Sequence, residues 1–165
     1  MMKEYFVTFA DYNRWANRRV YDAAAKLRES DYRADRGAFF GSLHATFNHI
    51  LVADRIWLWR ITGEGEAPDN LDAILYDDRD TLKAARDNED ARFVALIARL
   101  DDEGIAAPLT FRSMKGIPTM QPLGIVLAHV FNHQTHHRGQ VHALLTGLGV
   151  EGPVLDLVAY VRERG

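Results

Sequence analysis

Apolar side chains recur every three to four positions through most of this 165-residue chain, and clusters of Gly, Pro or Asp interrupt the pattern at only a few places. A period near 3.6 places such residues on one face of a helix, whereas a half-buried strand needs strict alternation. The first stretch runs from about Glu4 to Glu29, with Phe6, Phe9, Ala10, Asn13, Ala16, Asn17, Val20 and Ala24 at helical spacing. Ser30-Asp31 and the region of Arg36-Gly37 break it. A second helix is expected from Ser42, a capping residue, to Ile61, with Thr62-Gly63 as its stop. Gly63 to Asn70 is a loop by composition. The third helix, about Asp77 to Leu100, carries Leu82, Ala85, Phe93, Leu96, Ile97 and Leu100 on one stripe. Charged residues cover its remainder, and Asp101-Asp102-Glu103-Gly104 closes it. Residues 107–121 suggest a short hairpin or extended crossover. Pro122 suits the first turn of a fourth helix that reaches about Leu145, ended by Gly147 and Gly149. Pro153 opens a last short helix ending near Tyr160.

Four long helices predict an all-α, antiparallel four-helix bundle, with the hairpin before its fourth helix and a short C-terminal helix. The chain is expected to form one domain over residues 1–165. Hydrophobic residues at 47% supply a full core, and 20 Lys+Arg against 23 Asp+Glu leave a net charge of −3. That balance carries no basic nucleic-acid footprint and no membrane-seeking polycation. No signal peptide or apolar membrane span is visible in the sequence. Cysteine is absent, which excludes disulfides, thiolate ligands and a cysteine nucleophile. A reducing compartment is the expectation, and a cytoplasmic location with it.

Bundles build their sites from side chains that project inward from facing helices. The fourth helix reads LAHVFNHQTHHRGQVHALL. At about 100° per residue, His133 and His137 lie about 40° apart, and Val126, Val130, Val141, Leu144 and Leu148 fall within about 40° of His137. Both histidines therefore sit on the core-facing stripe, where an i,i+4 pair can aim two nitrogens at one ion. The plainer alternative is a pair of hydrogen-bonded core histidines, which leaves several nitrogens seeking partners. His129 and His136 lie about 80° and 100° from His137, at the edge, and His142 lies near the opposite side. A third ligand should come from the second helix, where periodicity does not choose between His44 and His49. Asp54 falls on that helix's apolar stripe, as a ligand, an orienter of an imidazole, or the ion-pair partner of an Arg such as Arg18 or Arg138.

The segments HVFNHQTHHRGQVHALLTGLG, SLHATFNHILVADRIWLWRITGEG and YNRWANRRVYDAA resemble the DinB family, in order and over nearly the whole chain. The resemblance implies a DinB-like bundle with a divalent metal ion on three histidines, at positions His49, His133 and His137 here. Three imidazoles suit Ni²⁺ or Zn²⁺ and leave a position open for water or substrate. Relatives imply a metal-dependent enzyme with a small-molecule substrate and a low-molecular-weight thiol as cosubstrate, as a transferase or a hydrolase. A non-catalytic metal-binding stress-response protein and a helical interaction module are the alternatives. The wide apolar surface of helix two and the resemblance together imply a homodimer.

Among neighbouring residues, Gln140 lies about 20° from His133 and is expected to line the pocket. Gly139 is expected to allow close helix packing. Asn13, Trp15 and Asn17 could line a cavity mouth. Trp57 and Trp59 read as core or dimer contacts, and His136 and Arg138 as supporting or surface groups.

Overall fold

The computed structural model describes residues 2–164. Four long helices, α1 (Met2–Ala24), α3 (Leu43–Thr62), α4 (Arg79–Arg99) and α6 (Leu123–Gly147), form the bundle. Three short ones, α2 (Glu29–Arg33), α5 (Asp102–Ala106) and α7 (Leu157–Arg164), connect or follow them. Strands β1 (Pro108–Arg112) and β2 (Pro118–Pro122) make the expected antiparallel hairpin, with Pro108 opposite Pro122. The Ser42 hydroxyl accepts from the Ala45 N–H at the start of α3, and Gly63 ends that helix with φ 73°, a left-handed cap natural to glycine. Among the described residues, no helix is long and apolar enough to cross a membrane.

α1 and α3 each pack against both α4 and α6. Contacts along their lengths fix the directions. Phe6 packs with Val126 and Phe131, and Val20 with Val141 and Leu145, so α1 and α6 run parallel. Leu51 packs with Leu82 and Leu58 with Phe93, so α3 and α4 are also parallel. Of the four packed pairs, α1–α4 and α3–α6 are antiparallel. The parallel course of α3 and α4 comes from the connection over residues 63–78, which returns along α3 to the end where that helix began. Asn48 of α3 holds it there, its side-chain oxygen accepting from the N–H groups of Leu75 (2.9 Å) and Tyr76 (3.0 Å). The sequence shows the loop's composition but not its path.

Three boundaries differ from the periodicity. α1 stops at Ala24, because the chain turns so that Leu27 packs on the core, and Ser30 and Asp31 are helical in α2 rather than a break. Residues 102–106, expected only to close the third helix, form α5, capped by the Asp101 carboxylate accepting from the Gly104 N–H. Pro153 does not open the last helix, which starts at Leu157 and runs to Arg164. The segment before it lies across α6, where Tyr12 Oη donates to the Leu155 carbonyl at 2.6 Å.

Two apolar clusters fill the ends of the bundle. Between them lies a polar layer of Asn13, Asn17, Asp54, Arg86, Asp90, Gln134 and Arg138, each at most 2% exposed. The charged residues of α4 were expected on its outer face. Arg86, Glu89 and Asp90 are instead buried, because they share the phase of Leu82 and Phe93 on the wheel.

Candidate metal centre

His49 on α3 and His133 and His137 on antiparallel α6 meet where the two helices face each other. One nitrogen from each lies within 4.8 Å of the other two. His133 Nε2 is 3.2 Å from His49 Nε2 and 3.0 Å from His137 Nε2. The outer nitrogens are held in place. His49 Nδ1 lies 3.0 Å from the Leu71 carbonyl, supplied by the connection that returns along α3. His137 Nδ1 lies 2.8 Å from Gln140 Oε1, one turn further along α6.

These partners decide the tautomers. A carbonyl oxygen only accepts, so His49 and His137 carry their protons on Nδ1 and present lone pairs at Nε2. His133 Nε2 can donate to one of them at most. A second lone pair then faces a nitrogen with no proton between, which a cation at the meeting point would relieve. Bonds of about 2.0–2.1 Å to one ion would set neighbouring nitrogens roughly 2.9–3.4 Å apart, and both separations from His133 fall in that range. The three histidines thus form a group that could hold a metal ion, and the carbonyl and the amide are the orienting partners such ligands use.

Electrostatics agree. Burial pushes the His133 pKa down to about 3, with His137 and His49 adding to the shift. Burial lowers His137 to about 4, against the Gln140 hydrogen bond, which acts upward. His49 is also lowered by burial, with the Leu71 carbonyl and Asp72 opposing. All three stay neutral at pH 7, the form in which imidazole binds metals. The linkage sign follows. In the unfolded chain these rings take protons near pH 6.5, but in the fold His133 and His137 do so only near pH 3–4, and His49 below its ordinary value. The unfolded state binds more protons between those limits, so stability falls as pH falls. Chelator-treated protein is expected to lose thermal stability steadily from pH 6.5 to pH 4 in a melting series, and protein with metal added to resist that loss at the upper end of the range.

The group opens on a cavity of about 640 Å³ lined by His49, His137, Gln140, His136, Asp72, Leu71, Phe39, Phe40 and Met114. Phe40 stacks on the His49 ring at 3.8 Å between centroids and 22° between planes. Met114, on the hairpin turn, reaches the rim. Phe40 and the Leu71 carbonyl carry no sequence signal, since both come from irregular segments brought in by tertiary contacts.

The remaining candidates fall elsewhere. His44 is buried, but its Nε2 lies 3.0 Å from the Tyr76 carbonyl, outside the group. His129 is exposed against Trp57, and His136 is exposed at the rim, its Nε2 3.2 Å from Gln140 Nε2. His142 faces Gly152 on the other side of α6. Asp54 pairs with Arg86 and accepts from Gln134, not with Arg18 or Arg138. Asn13 and Asn17 do not line the cavity mouth; both donate to Asp90 and accept from Arg138 in the polar layer. Trp15 is on an outer face, donating to Glu163 at 2.9 Å. A Cβ at Gly139 would meet nothing within 4 Å, so this glycine does not serve helix packing. Trp57 is half-buried against Phe111, while Trp59 is exposed. Arg86, Asp90 and Gln134 were missed. Their signal was the i,i+4 pairing of Arg86 with Asp90 at core phase, and the phase of Gln134.

A model of the DinB family matches residues 1–164. Protein DinB of Bacillus subtilis (strain 168) is 23% identical over 165 residues, covering 97% of this chain and 95% of that protein. The crystal structure of a DinB-like protein from Bacillus cereus ATCC 10987 superposes with a TM-score of 0.65 at 22% identity, covering 84% of this chain and 89% of the other. A DinB-like protein from Bacillus subtilis gives a TM-score of 0.64 at 16% identity, over 90% of this chain and 97% of that one. At such identities the two structures establish a shared fold. Matched by the family model from the first turn of α1 to the end of α7, this chain belongs to the DinB family.

Proposed function

We propose that this protein is a divalent-metal-dependent enzyme, with Ni²⁺ or Zn²⁺ held by His49, His133 and His137, that acts on a small molecule with a low-molecular-weight thiol as cosubstrate. The observation that carries the reading is the convergence of three neutral imidazole nitrogens beside an open cavity of about 640 Å³. Among the described residues, no Asp, Glu or further His joins the group as a fourth ligand. A purely structural ion is usually enclosed by four protein ligands, whereas a catalytic one keeps a position free. When bound, the ion would act as a Lewis acid, lowering the pKa of a coordinated water or thiol.

The chain's own residues would do the remainder. Gln140 and the Leu71 carbonyl hold two rings in their orientation. Phe40 keeps water from one face of His49, and Phe39, Leu71 and Met114 offer apolar surface to a substrate. With no cysteine in the sequence, the sulfur must arrive with the cosubstrate.

Untagged protein loaded with Co²⁺ tests the reading. Binding of one equivalent, followed by a sulfur-to-metal charge-transfer band when a simple thiol such as 2-mercaptoethanol is added, is the expected result. No metal uptake, or uptake with no spectral response to thiol, would sink it.

A further inference from the structure

The connection from α3 to α4 carries the Leu71 carbonyl to the histidine group, yet its own backbone does little to hold it there. Among the described residues, residues 64–77 form no main-chain hydrogen bond to a helix; the Ala73 N–H bonds the Asn70 carbonyl inside the connection. Side chains therefore set its course. Asn48 of α3, 0% exposed, supplies the central grip. Its Oδ1 accepts from the N–H groups of Leu75 (2.9 Å) and Tyr76 (3.0 Å), and its Nδ2 donates to the Tyr76 carbonyl at 3.1 Å. His44, one turn earlier on α3 and also buried, places its Nε2 3.0 Å from the same carbonyl. A carbonyl only accepts, so His44 carries its proton on Nε2, and the two residues share the two lone pairs of that oxygen. The main chain of Tyr76 is thus fixed at both its N–H and its carbonyl.

From Tyr76 the path back to Leu71 is short and braced. Asn70 Oδ1 accepts from the Asp72 N–H at 2.9 Å, and the Asn70 carbonyl accepts from the Ala73 N–H at 3.3 Å. This turn presents the Leu71 carbonyl to His49 Nδ1 at 3.0 Å. His49 follows Asn48 directly, about 100° further round the helix. One residue of α3 grips the connection and the next receives its carbonyl. A ring whose Nδ1–H is held in this way offers a lone pair at Nε2. A ring that loses the carbonyl is free to carry its proton on Nε2, where it has no electron pair for an ion.

We propose that Asn48, assisted by His44, is a positioning residue of the metal centre: by fixing Tyr76 it holds the Leu71 carbonyl against His49 and keeps the Nε2 lone pair directed at His133 and His137. The proposal rests on the reading of the three histidines as metal ligands. It gives His44, which lies outside that group, a task at the centre, and neither residue touches the ion.

Metal-free ¹⁵N-labelled protein tests it through the histidine tautomers, read from long-range ¹H–¹⁵N spectra, with Zn²⁺ affinity measured by competition with a chromogenic chelator. In the unaltered protein His49 and His137 are expected as Nδ1–H forms and His44 as the Nε2–H form. Asn48→Ala is expected to shift His49 toward the Nε2–H form while His137, held by Gln140, keeps its own. The same variant is expected to weaken Zn²⁺ by about 10–100-fold, the effect of losing a group that orients a ligand. His44→Ala leaves Asn48 in place and is expected to change both readouts in the same direction by less. His44→Gln, which restores an N–H donor, is expected to recover them. Leu82→Ala, a core change beside Leu51, controls for loss of stability alone. It is expected to lower the melting temperature and leave the His49 tautomer and the Zn²⁺ affinity unchanged. An unaltered His49 tautomer in Asn48→Ala, or in His44→Ala where the Asn48 variant does not fold, would overturn the proposal. So would a Zn²⁺ loss no greater than that of Leu82→Ala. Unaltered protein that shows the expected tautomers but takes up no Zn²⁺ would refute the metal reading itself, with the tautomer shift still deciding the role of Asn48.

Discussion

His137→Ala is expected to weaken Zn²⁺ or Ni²⁺ binding by more than about 100-fold, while His142→Ala, five residues along the same helix, leaves it unchanged. The bound comes from the effect of removing a group that only orients a ligand, about 10–100-fold, since deleting a ligand should exceed it. Gln140→Ala is expected to fall within that lower range. It frees the His137 ring, whose Nδ1 lies 2.8 Å from Gln140 Oε1, without removing a donor from the ion. The order His137, then Gln140, then His142 is the diagnostic result, read by competition with a chromogenic chelator. Equal losses from His137→Ala and His142→Ala would show that the convergence of Nε2 atoms at 3.0 and 3.2 Å is not the binding site.

Arg86→Met is expected to destabilise the fold by about 3–5 kcal/mol, the usual penalty for removing one partner from a buried ion pair. Arg86 is 1% exposed and stands between two carboxylates, donating to Asp54 and lying 3.0 Å from Asp90. Burial already pushes the Asp54 pKa up to about 7, with Arg86 opposing and Asp90 adding to the rise. Asp90 is likewise raised by burial and held back by Arg86. Without the guanidinium both carboxyls would titrate higher still in the fold, while in the unfolded chain they titrate near the ordinary value of about 4. The folded variant then binds more protons than the unfolded one, so its stability falls as pH rises. Urea melts should therefore show a larger deficit at pH 8 than at pH 5. Adding Asp90→Asn to Arg86→Met should recover part of the loss. A deficit below about 1 kcal/mol at both pH values would show that the polar layer does not hold these charges in contact.

Much of the architecture was legible because the bundle's signals are local. Ser42 and Gly63 bracket α3 through contacts made within a turn, and the 3.6-residue period needs only neighbouring side chains. The inward placement of His133 and His137 follows from the same arithmetic. What failed was the assumption that charge marks the solvent side. Arg86, Asp90, Asn13, Asn17, Gln134 and Arg138 satisfy one another across three helices, so each looks misplaced until its partners, 73 to 121 positions away for Asn17, are known.

The sequence by itself determined the four long helices, the caps of α3, the absence of thiolate ligands, and the stripe on which two histidines lie. Choosing His49 over His44 was beyond periodicity, because α3 is buried on most sides and both imidazoles are covered. The family resemblance selected His49, and the tertiary structure supplies the physical reason: the connection after α3 returns along that helix, giving His44 the Tyr76 carbonyl and His49 the Leu71 carbonyl. Only the second arrangement leaves a lone pair facing α6. The parallel course of α3 and α4 has the same origin, since a loop's composition says that it turns and the packing it meets says where it goes.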